Sequence, residues 1–143
     1  MYRMRDGRPE VLLIHPGGPF WARKDEGAWS IPKGEFIEED PLDAARREFQ
    51  EETGYSALGD FMPLTPIKQA GGKMVYAWAV AGDCDAGAIK SNTFKLEWPP
   101  HSSLWETFPE ADRAAWFPLP QAREKILKSQ KPLLDQLEQA IKL

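Results

Sequence analysis

The sequence from residue 40 to residue 54 reads DPLDAARREFQEETG and carries the clearest helix signals in the chain. Asp40 is a favourable N-cap residue, and Pro41 stands at the first helical position, where its missing N–H costs nothing. Gly54 follows the last helical residue, where glycine commonly ends a helix in a left-handed conformation. The stretch therefore predicts an α-helix over residues 41–53.

Three glutamates share one side of this predicted helix. At about 100° per residue, Glu48, Glu51 and Glu52 fall on an arc about 100° wide, beside the stripe expected to face the core. Like charges four residues apart destabilise a helix by a few tenths of a kcal/mol, and the helix dipole disfavours an anion near the C-terminus. A cluster of oxygen ligands suits Mg²⁺ or Mn²⁺, whereas a solvated acidic face would give the same pattern without a metal. The core-facing stripe is expected to hold Leu42, Ala45, Phe49 and Thr53.

Short strand-like segments surround the helix. Residues 2–4 and 10–15 predict two strands joined by a turn at residues 6–9. Strands concentrated in the first two-thirds of the chain, with few helices, predict the α+β class with a mixed sheet. The further predicted elements are an extended piece at 29–32, strands at 58–64, 67–70, 74–80, 94–98 and 115–117, and helices at 120–128 and 130–141.

Length and composition limit the possible classes of protein. A chain of 143 residues, 42% hydrophobic and 11% aromatic, suits one folded domain over residues 1–143 and excludes a disordered acidic chain. The longest aliphatic run, residues 11–14, is too short for a membrane span, and no signal-peptide pattern is visible. Cys84 is the single cysteine, which excludes an internal disulfide and a Cys/His zinc cluster. We therefore expect a cytoplasmic protein without a membrane partner.

The negative charge is concentrated in one stretch. The net charge is −4, but residues 34–55 hold eight acids against two bases, and the remaining chain is slightly positive. An acidic total argues against general nucleic-acid binding, which normally requires a basic face. We expect the acidic stretch to bind metal.

Residues 39–55 resemble the signature of the Nudix family. That signature is Gly, five residues, Glu, seven residues, Arg-Glu, an aliphatic or aromatic residue, any residue, Glu-Glu, any residue, Gly and a hydrophobic residue. Every position from Glu39 to Tyr55 matches this spacing, whereas only four residues separate Gly34 from Glu39. The resemblance implies an α/β/α sandwich with a mixed β-sheet, and the metal-dependent hydrolysis of a nucleoside diphosphate linked to another group.

The resemblance also implies roles for residues of the signature. Glu48 and Glu52 are expected to bind Mg²⁺, with Glu51 as a further or water-mediated ligand, and one of the three would activate the attacking water. Arg47 would hold the loop carboxylate of Glu39 by a charge-assisted bond.

Two further metal contacts are expected outside the helix. The resemblance implies a contact from the Gly34 carbonyl, which the shortened loop places in question. It also implies an additional acid in a loop shortly before residues 115–117, where Glu110 is the first choice and Glu106 and Asp112 compete with it.

A phosphate-rich substrate also requires cations and flat rings from the protein. The expected phosphate contacts are Lys33, Lys73, Arg23 and Lys24, of which Lys33 and Lys73 lie nearest the expected edges of the cleft. Trp21 and Trp105 are expected to stack on a base, although core packing explains most tryptophans. The two histidines, His15 and His101, lie in no catalytic pattern and are assigned no role.

The stretch WSIPKGE at residues 29–35 narrows the range of expected substrates. It resembles the dinucleoside polyphosphate and bacterial NTP pyrophosphohydrolase branches of the family, which implies a small nucleotide of either kind as substrate. The alternatives are hydrolysis of ADP-ribose or capped RNA, or a non-catalytic nucleotide-binding domain. The oligomeric state stays open.

Overall fold

A three-stranded antiparallel sheet forms the centre of the computed structural model, which describes residues 1–34, 39–69 and 71–142. Strand β2 (Arg8–Pro16) lies between β1 (Tyr2–Arg5) and β9 (Ala111–Pro118). Five successive residues of β2, 11–15, are buried, as expected for a strand that is covered on both faces. The hairpin predicted around residues 6–9 is confirmed, with Tyr2 paired to Val11.

The helix predicted over residues 41–53 is confirmed as α1 (Pro41–Thr53). The Asp40 side chain accepts hydrogen bonds from the backbone N–H groups of Leu42 and Asp43, at 3.1 and 3.3 Å. Gly54 ends the helix with a φ of 81°, a conformation that glycine adopts without steric cost. Ala44, Phe49, Glu52 and Thr53 form the buried face of this helix.

The predicted core stripe of α1 is therefore partly wrong. Phe49 and Thr53 are buried as expected, but Leu42 and Ala45 are only half-buried. The buried face is instead centred on Ala44, Phe49 and Glu52, and Ala45 lies on the wall of a cavity beside the helix.

The remaining strands are short antiparallel pairs. The predicted strand at 74–80 divides into two strands that pair with different partners, and the Ala77 carbonyl between them accepts a hydrogen bond from the Leu64 N–H. The sequence analysis missed strand β8 (Trp105–Pro109), which contains Trp105. Strand β9 begins at residue 111 instead of 115. The pairs are β3 (Met62–Pro63) with β6 (Trp78–Ala79), β4 (Ile67–Lys68) with β5 (Met74–Val75), and β7 (Thr93–Glu97) with β8 (Trp105–Pro109).

Two helices close the chain and cover one side of the central sheet. They are α2 (Leu119–Lys125) and α3 (Lys131–Ile141), and a 3-10 turn (Lys128–Gln130) joins them. Helix α2 ends earlier than the predicted residue 128 because the chain at Ile126 pairs in parallel with Trp29. Since the main strand pairs are antiparallel, this bridge makes the strand arrangement mixed. Within the described residues, no helix is both long and apolar enough to cross a bilayer.

The core between the sheet and these helices is apolar. Leu13 and Ile126 are fully buried, and α3 contributes its apolar face through Leu134 and Leu137. Together the sheet and the closing helices provide a rigid support for α1 and for the loops around it.

The cap of α1 gives a first testable expectation. Replacing Asp40 with Ala removes both side-chain hydrogen bonds to the first helical turn, and should lower the free energy of unfolding by about 1 kcal/mol. Urea denaturation followed by circular dichroism measures the change. Gln50→Ala, at an exposed position of the same helix, is the control and should cause no loss. Equal stability of Asp40→Ala and the native protein would contradict the role of this cap.

Candidate metal centre

Three carboxylates from two parts of the chain meet beside helix α1. Glu48, Glu52 and Glu110 each offer a carboxylate oxygen, and these oxygens lie within 4.8 Å of one another. Glu48 and Glu52 are one helical turn apart and therefore share a face. Glu110 is the single residue between β8 and β9, where its N–H donates to Asn92 O (2.8 Å) and its carbonyl accepts from the Gly17 N–H (3.0 Å).

Burial and mutual repulsion disfavour ionisation of all three acids. Burial, followed by the charge of Glu48, raises the pKa of Glu52 to about 8. Burial also raises the pKa of Glu48, which the hydrogen bond from Arg47 opposes, and the pKa of Glu110, to which Glu51 adds repulsion. Without a cation, the cluster is therefore electrostatically unfavourable in its ionised form.

Among the described residues, a buried oxygen of the cluster lacks a hydrogen-bond partner. Glu52 is 7% exposed, and its Oε2 has no hydrogen-bond partner within the described residues. A buried carboxylate oxygen without a partner is costly, and a divalent cation would both pair with it and reduce the repulsion. The donor set of carboxylate oxygens suits Mg²⁺ or Mn²⁺. The residues present thus fit a divalent metal.

Gly34 packs directly against the cluster. A Cβ atom added to Gly34 would lie 1.9 Å from the Cδ of Glu48, so no larger residue fits here without displacing that carboxylate. Glycine is thus required by close approach to the helix. The shortened loop between Gly34 and Glu39 lies at residues 35–38, outside the described residues, and the metal contact from the Gly34 carbonyl stays a prediction.

Arg47 forms hydrogen bonds with three acids, Glu39, Glu48 and Glu51, of which only Glu48 belongs to the cluster. Its Nη2 donates to Glu39 Oε1 at 2.6 Å, and its Nε donates to Glu39 Oε2 at 3.4 Å. Its Nη1 donates to Glu48 Oε1 at 2.9 Å and to Glu51 Oε2 at 3.1 Å. The contact with Glu39 is the one that the sequence resemblance implies, while Glu51 faces Arg47 and is not one of the three clustered acids.

A cavity of about 360 Å³ opens beside the cluster, a volume within the range of small-molecule sites. Glu48 and Gly34 stand at one edge of it, and Arg46 lies on the opposite flank of α1. Glu48 is the only acid among the described residues that line it. Three cations line it too, namely Lys33, Arg46 and Lys73, together with rings and apolar side chains that include Phe61, Met74, Tyr76 and Trp78.

A family model described as the NUDIX domain matches residues 1–137. The chain belongs to the NUDIX family. This match confirms the family resemblance of residues 39–55. It also confirms, at the level of the family, the predicted enzyme class of a Nudix pyrophosphohydrolase.

Solved structures with the same fold support this assignment. The NUDIX domain of Shewanella oneidensis NrtR, complexed with ADP ribose, has a TM-score of 0.67 and 16% identity, over 98% of this chain and 82% of that chain. A C. elegans Ap4A hydrolase in a binary complex has a TM-score of 0.64 and 22% identity, over 98% and 91%. The E. coli ORF135 protein has a TM-score of 0.56 and 20% identity, over 99% and 88%. The predicted α+β fold of the Nudix type is confirmed.

No curated protein sequence matches this chain. The assignment of the substrate and of the site residues therefore depends on the geometry of the NUDIX site itself.

The structure separates the predicted substrate contacts into two groups. Lys33 and Lys73 line the cavity beside the NUDIX helix. Arg23, Lys24 and Trp21 lie in the loop at residues 17–28 and do not line it, and the Lys24 Nζ lies 5.0 Å from the centre of a Trp21 ring. Trp105 is 66% exposed and lies near the tip of the β7–β8 hairpin. Contacts from these four residues to a substrate stay predictions.

Sequence reasoning missed the role of His15. Its ring is fully buried, with Nδ1 2.9 Å from Asp112 Oδ1 and Nε2 2.6 Å from the carbonyl oxygen of Lys24. His15 thereby connects the loop at residues 17–28 to β9, two residues from Glu110. Its place at the end of an apolar run indicated burial, but no local pattern indicated partners 9 and 97 residues away.

Arg46 was also missed, because it occupies an unspecified position of the Nudix signature. Its guanidinium carbon lies 4.6 Å from the centre of the Phe61 ring, and no ion pair holds it within the described residues. A guanidinium stacked on a ring keeps its N–H donors available for an anion.

The raised pKa of Glu52 gives a pH-dependent expectation for the metal-free protein. Between pH 4.5 and about 8 the unfolded chain has released this proton and the folded chain retains it, so folding becomes less favourable as the pH rises. Glu52→Gln removes this effect. Its stability relative to the native protein should increase by roughly 3–5 kcal/mol from pH 4.5 to 8 and stay constant above that.

Denaturation in EDTA at a series of pH values measures this difference. Glu124→Gln, at an exposed acid distant in sequence from the cluster, serves as the control and should show no such trend. A pH-independent difference between Glu52→Gln and the native protein would show that Glu52 ionises normally.

Proposed function

We propose that the chain is a Mg²⁺- or Mn²⁺-dependent enzyme that hydrolyses a phosphoanhydride bond of a nucleoside polyphosphate. The observation that carries the proposal is the cluster of Glu48, Glu52 and Glu110 at the edge of a ligand-sized cavity, in which one Glu52 oxygen has no hydrogen-bond partner among the described residues. Membership of the NUDIX family supports the same chemistry.

The three clustered glutamates are the residues that would hold the metal. A bound divalent cation neutralises phosphate oxygens and lowers the pKa of water. Glu48 is oriented for this task, because Arg47 donates to its Oε1 and Gly34 packs against its carboxylate. Glu39 in turn holds the opposite side of the Arg47 guanidinium.

In the proposed reaction, the oxygen of water forms a bond to phosphorus, and the anhydride P–O bond breaks. The water proton passes to one of the glutamates on α1, and the leaving phosphate takes the electron pair of the broken bond. A bound cation would favour the ionised form of Glu52, whose pKa burial and the charge of Glu48 otherwise raise, so that its carboxylate could accept this proton. Glu51 remains a proposed water-mediated contact.

The cavity supports a nucleotide as the substrate. Aromatic side chains such as Phe61, Tyr76 and Trp78 offer faces for a base, and stacking on such a ring contributes about 1–3 kcal/mol. Lys33, Arg46 and Lys73 supply positive charge for the phosphates that the metal does not contact. We place the base in the cavity and the reacting phosphate at its edge, beside Glu48.

A nucleoside triphosphate or a dinucleoside polyphosphate is the proposed substrate. The stretch at residues 29–35 favours these two, and the similarity to an Ap4A hydrolase supports the second. ADP-ribose is the alternative, because the NrtR NUDIX domain was solved with that ligand. The proposal also includes a single domain over residues 1–143 and a cytoplasmic location.

Hydrolysis should depend on Glu52 and on a divalent metal. Native protein with Mg²⁺ or Mn²⁺ is expected to release phosphate products from at least one of an NTP set, Ap4A, ADP-ribose and capped RNA. Glu52→Gln removes a carboxylate from the cluster and should lower kcat by at least about 100-fold, whereas Glu124→Gln should retain native rates. Product analysis by ion-exchange chromatography identifies the bond that breaks.

The same panel distinguishes the alternatives. Turnover of ADP-ribose or capped RNA alone would reassign the substrate. If neither the native protein nor Glu52→Gln hydrolyses any compound but both still bind nucleotide, the chain is a nucleotide-binding domain and the proposal is overturned.

Arg46 should affect substrate binding and not the chemical step. Arg46→Gln removes a cation from the cavity wall but leaves the glutamate cluster intact, so KM should rise about tenfold with kcat nearly unchanged. Steady-state kinetics on the best substrate measures both constants. Arg8→Gln, at an exposed position of β2, is the charge-matched control. An unchanged KM in Arg46→Gln would remove Arg46 from the binding site.

A further inference from the structure

The buried side chain of Gln130 joins the C-terminal part of the chain to the segment that ends at Gly34. Gln130 is 1% exposed and stands just before helix α3. Its Nε2 donates to Ser30 Oγ at 3.0 Å, and its Oε1 accepts from the Ile31 backbone N–H at 3.1 Å. Both ends of the amide are therefore used inside the protein.

The Gln130 side chain supplies the hydrogen bond that the next residue of a short parallel ladder would otherwise supply. Trp29 N–H donates to Lys125 O at 2.9 Å, and Leu127 N–H donates to Trp29 O at 2.8 Å, as in a parallel ladder. The ladder would continue from Ile31 to the Leu127 carbonyl, but that carbonyl accepts from the Gln130 N–H of the 3-10 turn. The Gln130 amide, which has the same donor and acceptor groups as a peptide, satisfies Ile31 instead.

The segment fixed in this way leads directly to the metal centre. Pro32 has no N–H, and the next residues, Lys33 and Gly34, lie against the glutamates of α1. The Lys33 backbone forms a hydrogen bond that opposes the rise in the pKa of Glu52, and Gly34 leaves no space for a Cβ beside Glu48. A shift of this backbone would therefore disturb its contacts with the carboxylates of Glu48 and Glu52.

We propose that Gln130 is a positioning residue of the metal centre, which holds Ile31 so that Lys33 and Gly34 keep Glu48 and Glu52 in a metal-binding arrangement. The inference rests on the proposed function, because it assumes that these glutamates bind a divalent cation. It assigns a role in metal affinity to a residue about 80 positions from the nearest glutamate of α1 in sequence.

Replacing Gln130 with Met tests the inference, since Met fills the space of Gln but offers Ile31 no acceptor comparable to the amide. Mn²⁺ binding is measured by electron paramagnetic resonance, which counts free Mn²⁺ and needs no turnover. We expect the Kd for Mn²⁺ to rise about tenfold, the lower end of what loss of an outer hydrogen-bond partner costs a metal site. Thermal unfolding is measured in parallel.

Two further variants separate positioning from stability. Leu119→Ala removes a buried side chain that does not line the cavity, so it should lower Tm and leave the Kd for Mn²⁺ unchanged. Gln130→Glu keeps an acceptor for Ile31 and should restore much of the affinity, although its buried charge lowers Tm. If Gln130→Met fails to fold, Ser30→Ala takes its place, because it removes the Oγ that accepts from Gln130 Nε2, and it should also raise the Kd for Mn²⁺. A Kd that changes only in step with Tm across these variants overturns the inference.

The outcomes also separate this inference from the proposed function. Native protein that neither binds Mn²⁺ nor hydrolyses nucleotides would overturn both. Native protein that does both, with Gln130→Met binding Mn²⁺ as tightly as native, would overturn the positioning role alone.

Discussion

The repulsion between carboxylates beside helix α1 is the constraint on which the rest of the structure depends. Glu48, Glu52 and Glu110 bring oxygens within 4.8 Å of one another in a partly buried place, and the pKa of Glu52 rises to about 8 as a result of burial and neighbouring charge. A chain that folded only to maximise its stability would separate these groups. The fold keeps them together through contacts that are themselves favourable, and a divalent cation would compensate the remaining cost.

Those contacts come from three distant parts of the chain. Arg47 orients Glu48 from within the helix, while Gln130 fixes the backbone that ends at Gly34. On the opposite side, the Gly17 N–H bonds the carbonyl of Glu110, close to where His15 joins β9 to the loop at residues 17–28. Arg47 thus bonds the carboxylate of Glu48 directly, whereas the contacts of Gln130 and of the Gly17 N–H fix the backbone beside the cluster.

The sequence predicts the parts of this site that are local. The cap at Asp40, the end at Gly54 and the shared face of Glu48 and Glu52 follow from helix geometry, because their partners lie within four residues. The sequence does not reveal that the buried side chains of His15 and Gln130 bond Asp112, Ile31 and Ser30, since these partners lie 97 to 100 residues away and depend on how strands pair. The strand at Trp105 was missed for a related reason, because a hairpin with an exposed face lacks the apolar alternation that marks a strand.

Arg46 and Arg47 show how one helix serves two electrostatic tasks. The two residues are adjacent in sequence and therefore project about 100° apart around α1. Arg47 is bound by carboxylates and stabilises the acidic edge, whereas Arg46 rests on Phe61 and adds positive charge to the cavity. Under the proposed function, a substrate with several phosphates would use both environments, the acidic edge for a cation at the reacting group and the basic wall for the remaining charge. The net charge of −4 conceals this separation, because it is the sum of −6 in residues 34–55 and +2 in the remaining chain.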